Sequence, residues 1–293
     1  MRRLLAPVLL VVLILTCCAC QSQQAEDIGM LTIHYIDVDQ ADAILLIAGD
    51  TKILIDGGNT GTAGDVLAYL RRFGVEELDL VVNTHPHGDH LGGIPTVLNQ
   101  IPAEEIWCST TSYGTSLFDR FEKAADKQDL TIYHPAPGTV FKEGNLSVMV
   151  LGPLYGNSTY EDLNDTSLVL MVQFGQRRFL FTGDMESYAE QQLLSANINL
   201  QADVLKVGHH GSYSSTSQVF LDKVDPEYGI ISCGRDNEYG HPHDAPVNRL
   251  NRAEVELYRT DLMGSVVIVT DGDELAFFLE TRNTELTGYE KAA

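Results

Sequence analysis

Thr84-His85-Pro86-His87-Gly88-Asp89-His90 places four potential metal ligands within six residues. An extended segment turns alternate side chains to the same side, so His85 and His87 share a face. Asp89 and His90 follow where the chain turns toward a helix. Imidazole and carboxylate together suit zinc, manganese or iron. The spacing offers one cation the first pair and a second cation the last pair. The apolar run over residues 78–83 leads directly into this segment, so the chemistry sits at the end of a buried strand.

Outward from the His cluster the pattern alternates between strand and helix. Residues 31–37, 43–48 and, after the Gly49-Asp50 turn signal, 51–55 read as antiparallel strands. Val66, Leu67, Leu70 and Phe73 stand at helical spacing over 64–73, which Gly74 ends. Residues 91–98 begin a helix that Pro95 interrupts. Further strands are expected over 105–107, 130–134, 146–151, 167–174, 177–182, 204–207, 228–232, 255–258 and 265–270, and helices over 186–196, 217–223 and 245–252. Two halves emerge, each with strands first and helices later. This predicts an α/β (α+β) chain of two sheets packed face to face with helices outside. Residues 29–281 are expected to form one domain, with a disordered tail over 282–293.

With 293 residues, 44% of them hydrophobic, the chain can bury one sizeable core. Its 41 Asp and Glu against 19 Lys and Arg give a net charge of -22. That charge repels polyanions at long range and excludes a general DNA-coating protein. Arg2 and Arg3 precede an apolar run over 4–15, shorter than the roughly 20 residues a membrane span needs, which reads as a secretory leader. The following Cys17-Cys18-Ala19-Cys20 resembles a bacterial lipoprotein signal. That resemblance implies a signal segment over 1–20 cleaved so that a lipidated Cys20 becomes the first mature residue, with Cys17, Cys18 or a simple cleaved leader as the alternatives. It also implies a polar tether over 21–28 and an extracytoplasmic protein held on the cell membrane. Beyond this cluster only Cys108 and Cys233 remain, so a disulfide framework is absent.

The string His85-x-His87-x-Asp89-His90 resembles the metallo-β-lactamase superfamily, and the likeness extends from residue 31 to about 270. It implies a four-layer αββα sandwich with a dinuclear site, holding two zinc or manganese ions, at the sheet edges. Leu54-Ile55-Asp56-Gly57-Gly58 looks like the superfamily's first motif, which implies that Asp56 orients a metal-binding His. Phe181-Thr182-Gly183-Asp184 resembles the motif whose Asp bridges both metals. In Lys206-Val207-Gly208-His209-His210-Gly211-Ser212 the resemblance makes His209 the last metal ligand and His210 its support. Tyr239-Gly240-His241-Pro242 is similar to the place where phosphoesterase branches put a phosphate-contacting His.

More narrowly, these motifs together with Tyr35 to Asp42 and Asn164-Asp165-x-Ser167 resemble the extracellular nuclease-like domain of ComEC, a DNA-uptake channel. That family's opening motif usually reads Gly-Gln-Gly-Asp. Asp39 and Ala41 occupy the Gly positions here and lack glycine's freedom at positive φ, so the loop is expected to differ. A counterpart to the lactamases' third His is missing. His134, the one His between residues 91 and 184, lies in an apolar run and reads as structural. Asp165 is the expected substitute ligand, and an oxygen donor there favours manganese and argues against β-lactam chemistry. His34 and His243 read as packing and surface groups.

The resemblance implies metal-assisted phosphodiester hydrolysis in which Asp89 orients the nucleophile, with His241, Lys206 or Ser212 binding phosphoryl oxygens or assisting the leaving group. Three readings follow: a nuclease on external DNA, a phosphodiesterase on cell-wall polymers such as phosphorylcholine teichoic acid, and a non-catalytic surface-binding lipoprotein. DNA binding draws on several cations, and near the ligand loops there are only Lys206, Arg235, Arg249, Arg252 and Arg259. The third reading fits poorly with a retained Asp89, Asp184 and His209. After Leu15 no apolar run reaches membrane-spanning length, so a channel cannot be inferred.

Overall fold

A computed structural model describes residues 29–154 and 162–280; the leader, Cys20, the tether over 21–28 and the tail over 282–293 lie outside the described residues. The strands are β1 (Leu31–Tyr35), β2 (Ala43–Ala48), β3 (Thr51–Gly57), β4 (Leu78–Asn83), β5 (Ala103–Cys108), β6 (Ile132–Tyr133), β7 (Val140–Glu143), β8 (Leu146–Gly152), β9 (Val169–Phe174), β10 (Arg177–Phe181), β11 (Val204–Lys206), β12 (Tyr228–Ile231), β13 (Glu256–Arg259), β14 (Ser265–Thr270) and β15 (Leu275–Glu280). Helices are α1 (Ala63–Arg72), α2 (Gly88–Leu91), α3 (Ile94–Leu98), α4 (Ser116–Asp126), α5 (Ser187–Ser195), α6 (Gln218–Val224), α7 (Asp244–Arg252) and α8 (Thr260–Met263).

The first sheet runs β15-β14-β1-β2-β3-β4-β5-β6 and the second β13-β12-β11-β10-β9-β8-β7. As expected, β1, β2 and β3 are antiparallel neighbours, whereas β3 to β6 and β10 to β13 are parallel. Parallel strands are covered on both faces, which explains their continuous apolar runs. In β3, Ile53 and Ile55 enter the core between the sheets while Leu54 packs beneath the helices; in β4, Leu80 and Val82 alternate with Val81 in the same way. A second outer core joins Leu180 and Leu205 to Leu193, Phe220 and Leu250 of α5, α6 and α7. Helix, sheet, sheet and helix therefore form four layers, with each buried Leu, Ile or Val contributing about 1.5–3 kcal/mol.

The loops after β3, β4, β10, β11 and β12 meet at one edge, where parallel strands end. Behind the His cluster the helix is interrupted, as expected, but at Gly92-Gly93 between α2 and α3; Pro95 does not break it and sits in the first turn of α3, where its missing amide costs nothing. Gly92 and Gly93 let this segment close onto β3: a Cβ on Gly93 would stand 1.9 Å from the Gly57 carbonyl oxygen. Besides the short α8, three elements go beyond the sequence reading. Helix α4 buries Phe118, Phe121, Ala124 and Ala125 and is capped by the Thr115 hydroxyl, which accepts from the Phe118 amide. Strand β7 is largely exposed, and β15 closes one edge of the first sheet beside β14. The run over 130–134 narrows to β6, leaving His134 past its end with Nδ1 on the Cys108 carbonyl at 2.9 Å. No helix among the described residues is long and apolar enough to cross a membrane.

Candidate metal centre

Asp56 closes β3 with a positive φ of 57°, a conformation that Asp tolerates better than most residues. Its carboxylate then organises the end of β4. Oδ1 accepts the Thr84 amide at 2.8 Å, and Oδ2 accepts the Thr84 hydroxyl at 2.7 Å and Nδ1 of His90 at 2.8 Å. Donation from Nδ1 leaves the Nε2 lone pair of His90 free to ligate, which is the tautomer that a metal-binding His needs. The role expected of Asp56 thus matches its contacts.

The same logic repeats around Asp184. His210 directs Nδ1 to the Ser232 carbonyl at 2.9 Å, His209 directs Nδ1 to Glu186 at 2.9 Å, and His85 directs Nδ1 to the Thr84 hydroxyl at 3.2 Å. In each ring the acceptor fixes Nδ1 as donor and leaves Nε2 unprotonated in the neutral form. All four Nε2 atoms converge on one oxygen: Asp184 Oδ2 lies 3.2 Å from His90, 3.5 Å from His210, 3.8 Å from His209 and 3.9 Å from His85. His87 joins through Nδ1, 3.0 Å from His85 Nε2. The ligand atoms of Asp89, His90, Asp184 and His210 all lie within 4.8 Å of one another.

Two observations test whether this cluster fits a divalent cation. Asp184 Oδ1 is buried without a hydrogen-bond partner, which costs about 1–3 kcal/mol unless something coordinates it, and His90 Nε2 is directed at the same carboxylate, 3.2 Å from Oδ2. The charge pattern agrees. Burial works against ionised Asp184, yet His210, His90 and His209 override it and hold the carboxyl well below the usual range. Burial likewise opposes charge on His90 and His210, but Asp184, Asp56 and Asp89 hold His90 well above its ordinary value, and Asp184, Asp42 and Asp89 lift His210 to about 10. Carboxylates that make buried imidazoles retain protons supply the negative charge a cation would neutralise. The donor set of imidazole nitrogens and carboxylate oxygens fits zinc, manganese or iron.

Several expected roles need correction. His210, expected only as support, stands in the four-ligand group, while His209 reaches Asp184 from further off and is backed by Glu186. Both have left-handed φ, 47° and 52°, so strand alternation does not say which ring points inward. Asp165 does not face the cluster: its Oδ1 accepts the amides of Glu186 and Ala189 at 2.9 and 3.3 Å and caps α5. Its neighbour Asn164 lines the cleft instead, with Oδ1 buried and unpartnered and Nδ2 near His209 Nδ1 at 3.5 Å. Lys206 is 1% exposed and pairs with Asp42 at 2.7 Å, which removes it from substrate contact. Ser212 is buried with its hydroxyl on Ser214 Oγ at 2.8 Å and does not line the cleft. Ala41 keeps an ordinary φ, and Asp39 adopts the glycine-like φ of 61°.

Asp89 and His241 remain at the open side of the cluster, where both line the cleft with His87 and Gln40. Asp89 is held by His210 Nε2 at 3.3 Å, and burial, which opposes its ionisation, is outweighed by His90 and His210, so its pKa is lowered. Gln40 fixes the state of His241. Its Oε1 accepts the Gly234 amide at 3.1 Å, so its amide nitrogen is the group that meets His241 Nδ1 at 3.2 Å and donates to it. The His241 proton is then on Nε2. Burial and the neighbouring His210, His209 and His243 bring its pKa down to about 4, so the ring is neutral near pH 7. Gln40 and Asp42 stand in the opening motif and Glu186 two residues after Asp184, so each was adjacent to a motif already singled out. His34 is buried on β1 against Tyr69, and His243 accepts the Tyr213 amide at Nδ1.

Comparison with known proteins agrees with this geometry. The family model described as the metallo-β-lactamase superfamily matches residues 36–235. ComE operon protein 3 of Bacillus subtilis is 28% identical over 265 residues, covering 84% of this chain and 33% of that protein. Competence protein ComA of Neisseria gonorrhoeae is 31% identical over 232 residues, covering 78% and 31%. The chain therefore spans about a third of the length of these relatives. Among solved structures, the metallo-β-lactamase fold protein YhfI from Bacillus subtilis superposes with a TM-score of 0.55 at 14% identity, covering 83% of this chain and all of that one. The extent of the family match and the four-layer fold, with the His and Asp cluster at its sheet edge, show that the chain belongs to the metallo-β-lactamase superfamily of metal-dependent hydrolases.

Proposed function

We propose that this hydrolase is a dinuclear phosphodiesterase of the ComEC-like branch that cleaves DNA. The observation that carries the reading is His241: a neutral, Gln40-oriented imidazole beside the Asp89 and Asp184 carboxylates in the same cleft. The similarity to proteins named for competence supports DNA as the substrate class. Residues His85, His87, Asp89, His90, Asp184, His209 and His210 would hold two zinc or manganese ions. When bound, such ions polarise phosphoryl oxygens and make water a stronger nucleophile.

The chain's own groups do the rest. Asp89, held ionised by His90 and His210, accepts a hydrogen bond from the attacking water and orients it. His241 offers its Nε2–H as a hydrogen-bond donor to a phosphoryl oxygen or to the leaving oxygen, stabilising the charge that develops there while keeping its proton, and Gln40 prevents the ring from adopting the opposite tautomer. Asp56 and Glu186 keep His90 and His209 oriented.

A second reading rests on charge. The net charge is -22, and no Lys or Arg lines the cleft among the described residues. Affinity for a polyanion then depends on the site itself, and a phosphorylcholine-bearing wall polymer, whose cation offsets its phosphate, suits that balance. The leader and Cys20 extend the proposal to an extracytoplasmic lipoprotein anchored in the cell membrane. Metal analysis coupled to parallel assays on DNA, bis-p-nitrophenyl phosphate, p-nitrophenyl phosphorylcholine and nitrocefin, with added manganese or zinc, tests the set. Two metals per chain and DNA cleavage are expected; hydrolysis of nitrocefin alone overturns the phosphodiester reading.

A further inference from the structure

Tyr239 and Tyr213 are exposed by 60% and 71%, and they end a row of four rings beside the metal centre. Tyr239 lies nearly parallel to His241, with centroids 5.7 Å apart and planes at 25°. His241 meets His243 edge-on at 4.8 Å, and His243 packs on Tyr213 at 5.1 Å. Tyr239 and His241 belong to the cleft wall itself. His243 and Tyr213 continue the row outside the cleft wall. Singly scattered exposed aromatics are ordinary, but an exposed tyrosine stacked on a cleft-wall histidine beside a metal centre marks a surface that meets a ligand.

The row is held in place before any ligand arrives. Asn237 accepts the His241 amide at 3.0 Å and donates to the carbonyls of Gly234 and His241, which ties the loop carrying Tyr239 into one conformation. At the other end the Tyr213 amide donates to His243 Nδ1 at 3.0 Å. Tyrosine has few rotatable bonds, so ordering it on a ligand costs little entropy.

We propose that this row is a stacking platform for the nucleobases flanking the scissile phosphodiester of single-stranded nucleic acid, an inference that rests on the phosphodiesterase reading above. Parallel Tyr239 and His241 leave one open aromatic face, the arrangement on which a flat base stacks. A quaternary ammonium instead needs several aromatic faces converging around it, and Tyr239 is the one aromatic besides histidine among the described residues lining the cleft. Stacking is also insensitive to charge, so it provides grip on a nucleic acid where the cleft wall carries no Lys or Arg among the described residues.

The test measures binding of fluorescein-labelled oligo-dT, and of an abasic oligonucleotide of equal length, to the metal-free full chain by anisotropy, followed by kcat/KM on both with manganese. Tyr239→Ala should weaken oligo-dT binding about 5- to 150-fold and lower the ratio of oligo-dT to abasic affinity, while Tyr239→Phe restores both. Equal loss on both oligonucleotides overturns the platform, since Tyr239 would then act only by shaping the loop. Displacement of oligo-dT by phosphorylcholine as readily as by thymidine monophosphate overturns it as well. If base-dependent binding follows Tyr239 but no phosphodiester is cleaved, the platform stands and the activity reading falls. If oligo-dT and abasic strands are cleaved alike, the platform alone falls.

Discussion

Replacing Lys206 by Met separates a buried structural charge from a substrate contact. Its ammonium lies 2.7 Å from Asp42 Oδ2, and both side chains are 1% exposed. Asp42 is held below the usual carboxylate range even though burial opposes its ionisation, with Lys206 the foremost group and His210 next. Removing one partner of a buried pair leaves the other uncompensated, at a cost of about 3–5 kcal/mol. For a domain of this size 1 kcal/mol shifts Tm by about 2–4 °C, so Lys206→Met should melt about 6–20 °C lower by calorimetry of the metal-free chain. Removing both charges, as in Asp42→Asn with Lys206→Met, should recover most of that loss, because a buried pair is often worth little against neutral groups of similar volume. A Lys206→Met protein that melts within about 2 °C of the parent while its KM for bis-p-nitrophenyl phosphate rises would refute the structural reading and return Lys206 to the substrate.

Asp56→Asn cannot accept all of the hydrogen bonds from Thr84 and His90 that the carboxylate takes; metal affinity by competition with a chelator should fall about 10- to 100-fold. Asp165→Ala removes the cap on the amides of Glu186 and Ala189, so urea denaturation should show a loss of about 0.5–2 kcal/mol with metal stoichiometry unchanged; a lost metal would instead make Asp165 a ligand. His34 is buried, and burial first and Arg72 second depress its pKa to about 3. A depressed folded pKa means its contribution is complete above the unfolded value near 6.5 and drains away as pH falls toward 3, so at pH 5 about 2 kcal/mol of stability should be missing. His34→Gln should flatten that part of the urea midpoint between pH 7 and pH 5, and an equal fall in both proteins would show that His34 does not titrate this way.

The parts of the fold that were legible are those where one physical signal dominates. Strands β3 and β4 are buried on both faces, so their apolar runs could not be read as loops. Helix α4 carried a readable period in Phe118, Phe121 and Ala125 and a Thr115 cap, but these are spread through a polar stretch where charge obscures the pattern. Strand β7 has no comparable signal, because Val140, Lys142 and Glu143 are exposed and its pairing with β8 is made by the backbone.

The candidate site was legible as motifs but ambiguous between neighbours, and the reason is geometric. Alternation assigns faces only where the backbone is extended. Asn164-Asp165 lies in a 3-10 turn and His209-His210 at left-handed φ, so which of Asn164 and Asp165 lines the cleft, and that both His209 and His210 reach Asp184, was decided by loop geometry rather than by period. Lys206 is the opposite case. It ends β11 two residues after Val204, which packs in the core between the sheets, so the period of two already sends its side chain inward. A lysine on that face requires a buried carboxylate, and Asp42 of the opening motif meets it there. The same Asp42 also lies 3.5 Å from His210 Nδ1, which ties the opening motif to the imidazole in the four-ligand group. The departure at Asp39 and Ala41 therefore leaves that link intact: Asp39 takes the left-handed φ the turn needs, and Gln40 and Asp42 still reach His241 and His210.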